Sequence, residues 1–100
     1  TGGKRSKCAP EIPNVAEAGY QGYETTLGYA LLAPAGTPRP IITRLNDVTA
    51  TVVRAPAMTE RLLAQGAESV GNTPQELDAY IRSEIDRWTK LIERAHIQPE

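Results

Sequence analysis

The stretch Thr25-Thr26-Leu27-Gly28-Tyr29-Ala30-Leu31-Leu32-Ala33 mixes β-branched, aromatic and aliphatic residues and carries no charge. It lacks the strict alternation of a half-solvated strand, so as a strand it would be apolar on both faces and would need cover on both sides. Pro34 ends it, because proline has no N–H to give to a ladder. Such a strand demands neighbours, and the rest of the 100 residues supplies few. The one other candidate is the short Glu68-Ser69-Val70. The expectation is therefore an α/β unit of three main helices with one or two strands that is incomplete by itself. The opening Thr1-Gly2-Gly3-Lys4-Arg5 has no initiator Met and no apolar signal core, and reads as the start of a piece of something longer.

Helix signals are clearer. Asn14 with Glu17 three residues on forms a capping box for a single helical turn that Gly19 ends. Thr37 is placed as an N-cap with Pro38 at the first helical position, opening a helix whose apolar residues are Ile41, Ile42, Leu45, Val48, Val52 and Val53. Its β-branched content lowers intrinsic propensity, so packing must hold it. Pro56 starts a shorter helix directing Met58, Leu62 and Leu63 inward, and Gly66 stops it. Thr73-Pro74-Gln75-Glu76 combines an N-cap, a proline at the first helical position and a capping-box acid. The helix it opens is expected to run to about Ala95 and to bury Leu77, Ile81, Ile85, Trp88 and Ile92. Asp78 with Arg82, and Asp86 with Lys90, are acid-before-base pairs four apart, worth about 0.2–0.5 kcal/mol each.

Composition excludes several classes of function. Eleven basic against twelve acidic residues leave a net charge of −1, with Lys4, Arg5 and Lys7 as the only basic cluster, so nucleic acid is not an expected partner. A single cysteine, Cys8, cannot form an intramolecular disulfide, and its only possible histidine partner, His96, lies at the far end of the chain. One Cys and one His give no metal set, and Gly2-Gly3-Lys4 lacks the strand and length of a phosphate loop. Ser6, Ser69 and Ser83 have no nucleophile-elbow context. No cofactor is expected and no enzyme activity. His96, just past the last helix, suits the carbonyl end of its dipole, and Trp88 suits a core position.

Several of these segments carry a family likeness. Pro13-Asn14-Val15-Ala16-Glu17-Ala18-Gly19, Gly22-Tyr23-Glu24 and Tyr29-Ala30-Leu31-Leu32-Ala33-Pro34-Ala35-Gly36-Thr37-Pro38 resemble the signature of the tripartite tricarboxylate transporter substrate-binding proteins, the Bug family. Arg44-Leu45-Asn46, Arg61-Leu62-Leu63-Ala64-Gln65-Gly66-Ala67-Glu68, Thr73-Pro74-Gln75-Glu76 and Ile97-Gln98-Pro99-Glu100 follow in the family's order. Asn14 stands where the family usually has Thr, and both residues cap a helical turn.

The resemblance implies the C-terminal third of a two-lobed periplasmic binding protein of the type 2 fold. Residues 1–27 would be a remnant of the second lobe and the return to the crossover, and residues 28–100 the C-terminal part of the first lobe. The intact molecule would be periplasmic, bind a small carboxylate and deliver it to membrane permease subunits of the transporter. Thr26 and Tyr29, on the stretch resembling the interlobe crossing, would be the ligand-binding residues this segment supplies. Packing alone is the other role open to Tyr29. As an isolated chain, its open strand and helix faces would favour a homo-dimer. The alternative function is an independent small self-associating interaction module without ligand binding.

Overall fold

Proline and threonine punctuation sets the helix boundaries in the computed structural model, which describes residues 2–98. Helix α1 spans Arg39–Arg54, α2 Pro56–Ala64 and α3 Pro74–Ala95. Thr37 does not cap α1 as expected. Its hydroxyl and its N–H both donate to the Pro34 carbonyl, at 2.7 and 3.2 Å, and close a turn over residues 34–37. With that hydroxyl committed, the N-cap falls on Pro38, whose carbonyl accepts from the N–H groups of Ile41 and Ile42. Ala55 then serves as C-cap of α1 and N-cap of α2 in an extended conformation, because the ring of Pro56 bars the helical region to the residue before it. At the end of α2, Gly66 N–H donates to the Leu63 carbonyl and Ala67 N–H to that of Leu62, the paired closure of a Schellman motif.

Helix α3 forms where the capping box predicts. Thr73 Oγ1 accepts from Glu76 N–H at 3.2 Å, and Thr73 N–H donates to Glu76 Oε2 at 2.8 Å. Both helix-surface ion pairs are present, Arg82 to Asp78 at 2.8 Å and Lys90 to Asp86 at 2.6 Å. His96 takes the left-handed conformation beyond the last turn, with φ 53°, and Ile97 N–H returns to the Ile92 carbonyl. The short N-terminal turn is also as expected: Asn14 Oδ1 accepts from Glu17 N–H and Asn14 N–H donates to Glu17 Oε2.

Neither expected strand forms among the described residues. Residues 24–34 belong to no helix or strand, and residues 67–73 are irregular. A strand exists only where a neighbouring strand takes its N–H and C=O groups, and the described residues contain no second strand to form a ladder. The helices are correspondingly open. Helices α1 and α2 pack on one another, and α3 is held mainly at its start, where Asn46 Nδ2 donates to the Asn72 carbonyl and Arg54 Nη2 to that of Gly71. The N-terminal segment is tied to the end of α2 by Lys7 N–H to Glu68 and by Cys8 Sγ to the Leu63 carbonyl.

The apolar stripes are only partly used. In α1 the half-buried side is Ile42, Asn46, Thr49, Ala50 and Val53, whereas Ile41, Leu45, Val48 and Val52 face outward. In α3, Leu77 and Ile81 are half-buried as expected, but Ile85 is 61% exposed and Trp88 and Ile92 are exposed too. Glu84 and Arg87 are half-buried instead, because residues 24–26 cross the helix on that side. Arg82 stays in solvent with its ion-pair partner, so the helix has not rotated: the line through Ile85 simply lacks a surface to pack on. Among the described residues no hydrophobic side chain is fully buried. The accessible surface is 8585 Å², against about 5,500 Å² for a folded protein of 10.8 kDa. The radius of gyration is 16.5 Å, against about 13 Å for a compact domain of this length.

Candidate functional site

A shallow groove of about 320 Å³ lies where the extended segment crosses α3. Glu24 and Thr26 form one wall, and Tyr80, Ser83, Glu84 and Arg87 the other. The α3 wall follows from helical spacing: residues 80, 83, 84 and 87 are three or four apart and share one side of the helix. The two walls are joined by Arg87, which donates from Nη1 to the Glu24 carbonyl at 2.7 Å and from Nη2 to Glu84 Oε2 at 2.7 Å. Glu84 also accepts from Trp88 Nε1 at 3.1 Å, and the Arg87 guanidinium lies 5.5 Å from the Trp88 ring centroid. Arg87 is thus held by a carboxylate, a carbonyl and a π-face, an arrangement suited to a planar fork of donors.

Thr26 therefore lies in a groove, with its side chain exposed. Tyr29 does not: it is 92% exposed and lines no cavity described here. The structure brings Thr26 together with Tyr80, Ser83, Glu84 and Arg87, none of which stood out in the sequence. Their signal was available as a polar ridge beside Leu77 and Ile81 on the capped helix. Its pairing with Glu24, 63 positions from Arg87, was not.

A second hollow, of about 400 Å³, surrounds the N-terminal turn and is lined by Lys4, Arg5, Asn14 and Glu17 among others. Its guanidinium is already engaged, since Arg5 Nε pairs with Glu17 Oε2 at 2.9 Å and Nη1 donates to the Pro10 carbonyl. The Asn14 N–H bond, followed by the Arg5 bond, holds the Glu17 carboxyl below its ordinary pKa. Asn14, 8% exposed, is the one buried residue among those described. Chemically, the α3 groove offers hydroxyl groups from Thr26, Tyr80 and Ser83. No group of three or more potential metal-ligating side chains is found among the described residues.

A model of the tripartite tricarboxylate transporter family receptor matches residues 1–97. The chain belongs to this family. It is 39% identical over 84 residues to a UPF0065 protein from the tcbD-tcbE intergenic region of a Pseudomonas species, an alignment covering 83% of this chain and 25% of the relative. It is 35% identical over 88 residues to Protein BugT of Bordetella pertussis, covering 88% of this chain and 27% of that protein. Among solved structures, R. palustris Rpa4515 with adipate matches with a TM-score of 0.76 and 38% identity, over 100% of this chain and 33% of that one. The chain thus spans about a quarter of the length of these curated relatives. The family is one of binding proteins rather than enzymes. No helix among the described residues is long and apolar enough to cross a membrane.

Proposed function

We propose that this chain is the C-terminal third of an extracytoplasmic solute-binding receptor. The complete receptor takes up a small carboxylate in the periplasm and hands it to the permease subunits of a tripartite transporter. The observation that carries this is the match to R. palustris Rpa4515 with adipate, which extends over the whole chain at 38% identity. In this proposal residues 1–27 belong to the second lobe and its return, residues 28–100 to the first lobe, and the two-lobed type 2 architecture is completed by the rest of the receptor. The Arg87 bond to the Glu24 carbonyl then joins the two lobes beside the crossing. Thr26 would offer its hydroxyl to the solute from the groove, and Tyr29 would reach it only once the second wall of a cleft is present. The alternative of an independent self-associating module draws no support from the proteins named above, which are three to four times as long as this chain.

The test uses a hybrid receptor in which these 100 residues replace the matching third of R. palustris Rpa4515. Adipate affinity is measured by calorimetry for the hybrid and for its Thr26→Val and Tyr29→Phe forms. Loss of one hydrogen bond to the solute weakens binding about 2- to 10-fold. Unchanged affinity in both variants would remove Thr26 and Tyr29 from the site.

A further inference from the structure

Two contacts set the course of residues 24–28 over α3. At one end, Arg87 Nη1 donates to the Glu24 carbonyl at 2.7 Å. At the other, a Cβ added to Gly28 would lie 3.9 Å from the Tyr80 hydroxyl. Four residues of chain span at most about 13–14 Å, and the seven positions from Arg87 back to Tyr80 rise about 10 Å along the helix. The two lengths are comparable, so the segment follows α3 with little slack, and Thr26 falls midway between the contacts, in the groove. The N-terminal backbone also closes in on this stretch. A Cβ added to Gly2 would lie 3.5 Å from Thr26 Oγ1, and one added to Gly3 would lie 3.2 Å from Glu24 Oε2.

We infer that Arg87 is a positioning residue of this site: its guanidinium pins the Glu24 carbonyl to α3 and thereby sets where Thr26 presents its hydroxyl to the solute. The inference rests on the reading of Thr26 as a solute contact. Arg87 takes the backbone of Glu24 and not its carboxylate, which lies against Gly3. Its charge is met on its own helix, where Nη2 donates to Glu84 Oε2 at 2.7 Å. The same oxygen accepts from Trp88 Nε1 at 3.1 Å, and the guanidinium lies 5.5 Å from the Trp88 ring centroid. With side-chain exposures of 39% and 21%, Arg87 and Glu84 form the most enclosed ion pair among the described residues. A long side chain left free samples many rotamers, and these contacts hold this one in a single pose before any solute arrives. A lysine could answer Glu84 as a point charge, but it has no planar fork to hold that carboxylate and the Glu24 carbonyl at a fixed angle.

The test is a double-mutant cycle on adipate affinity in the hybrid with Rpa4515, measured by calorimetry on forms whose circular dichroism matches that of the unsubstituted hybrid. Arg87→Lys should weaken binding about 2- to 10-fold, and by no more than Thr26→Val does, since it acts through that one hydrogen bond. In a Thr26→Val background the same Arg87→Lys change should add less than about twofold, because the hydroxyl it positions is gone. Glu84→Ala against Glu84→Gln makes the comparison without touching Arg87. The alanine frees the guanidinium and should weaken binding as Arg87→Lys does, and the glutamine, whose amide oxygen can accept from both Arg87 and Trp88, should recover most of the loss. Arg87→Lys binding as tightly as the unsubstituted hybrid while Thr26→Val is weakened would overturn the positioning role alone. So would Arg87→Lys losses of equal size with and without the Thr26 hydroxyl, the pattern of a merely structural residue. Thr26→Val binding as tightly as the unsubstituted hybrid would overturn the reading of Thr26, and this inference with it.

Discussion

Removing the Thr73 hydroxyl tests how far α3 is set by its own first turn. Proline at the first helical position contributes no donor, so the capping box has two bonds to hold: Glu76 N–H into Thr73 Oγ1 at 3.2 Å, and Thr73 N–H into the Glu76 carboxylate at 2.8 Å. In Thr73→Ala the second bond survives and the first is lost to water. N-cap truncations of this kind cost about 1 kcal/mol, within a range of about 0.5–2 kcal/mol. Since little outside its first turn and the Arg87 contact holds α3, the loss falls on local opening. A cost of about 1 kcal/mol raises the opening constant about fivefold. Amide exchange resolved by residue should show the N–H groups of Glu76 to Tyr80 exchanging about five times faster, with those near Trp88 less affected. Thr73→Ser, which keeps the acceptor, should restore most of the protection. Unchanged exchange in the first turn of Thr73→Ala would show that tertiary packing, not the cap, fixes the start of the helix.

Two further outcomes follow from the same structure. Gly66 and Gly71 are both left-handed, with φ 76° and 61°, but an added Cβ meets nothing at Gly66, whereas at Gly71 it lies 3.1 Å from Val53 Cγ2 and Arg54 Nε. Each Gly→Ala change pays about 1–2 kcal/mol for the conformation and regains about 0.4–1 kcal/mol from the unfolded chain, so Gly71→Ala should lower the urea midpoint of α1 and α2 more than Gly66→Ala does. The Glu76 carboxyl is held below its ordinary pKa of 4.5, first by the Thr73 N–H and then by the Thr73 side chain. Its stabilisation is complete above that ordinary value and is lost as pH falls through the lower folded one, so helicity should drop with acid in the window below pH 4.5, and less so in Glu76→Gln.

The sequence made local structure legible and tertiary structure much less so. Caps and stops act within four residues of themselves, which is why the box at Thr73, the turn at Asn14 and the end of α2 lie where the residue types put them. Thr37 failed as a cap because the Pro34 carbonyl, also local but less expected, took its hydroxyl. Periodicity showed that α1 and α3 have apolar lines, but not which line meets this chain and which is left for another surface. The apolar run at residues 25–33 was read as a strand in need of neighbours, and among the described residues it forms no strand. Of the residues lining the groove, Thr26 was singled out through family likeness. Arg87 and Glu84 were not reached, because an arginine and a glutamate three apart on a helix look like any solvated pair until residues 24–26 cross over them.

The central claim is that this chain is one third of a carboxylate receptor and that its apolar faces and its groove are completed by the other two. The most direct measurement is calorimetric titration of adipate into the 100-residue chain alone and into the hybrid with R. palustris Rpa4515, under identical conditions. The account predicts no measurable binding by the chain alone and saturable one-to-one binding by the hybrid. Micromolar binding by the chain alone, or a folded hybrid that takes up no adipate while Rpa4515 itself does, would contradict it.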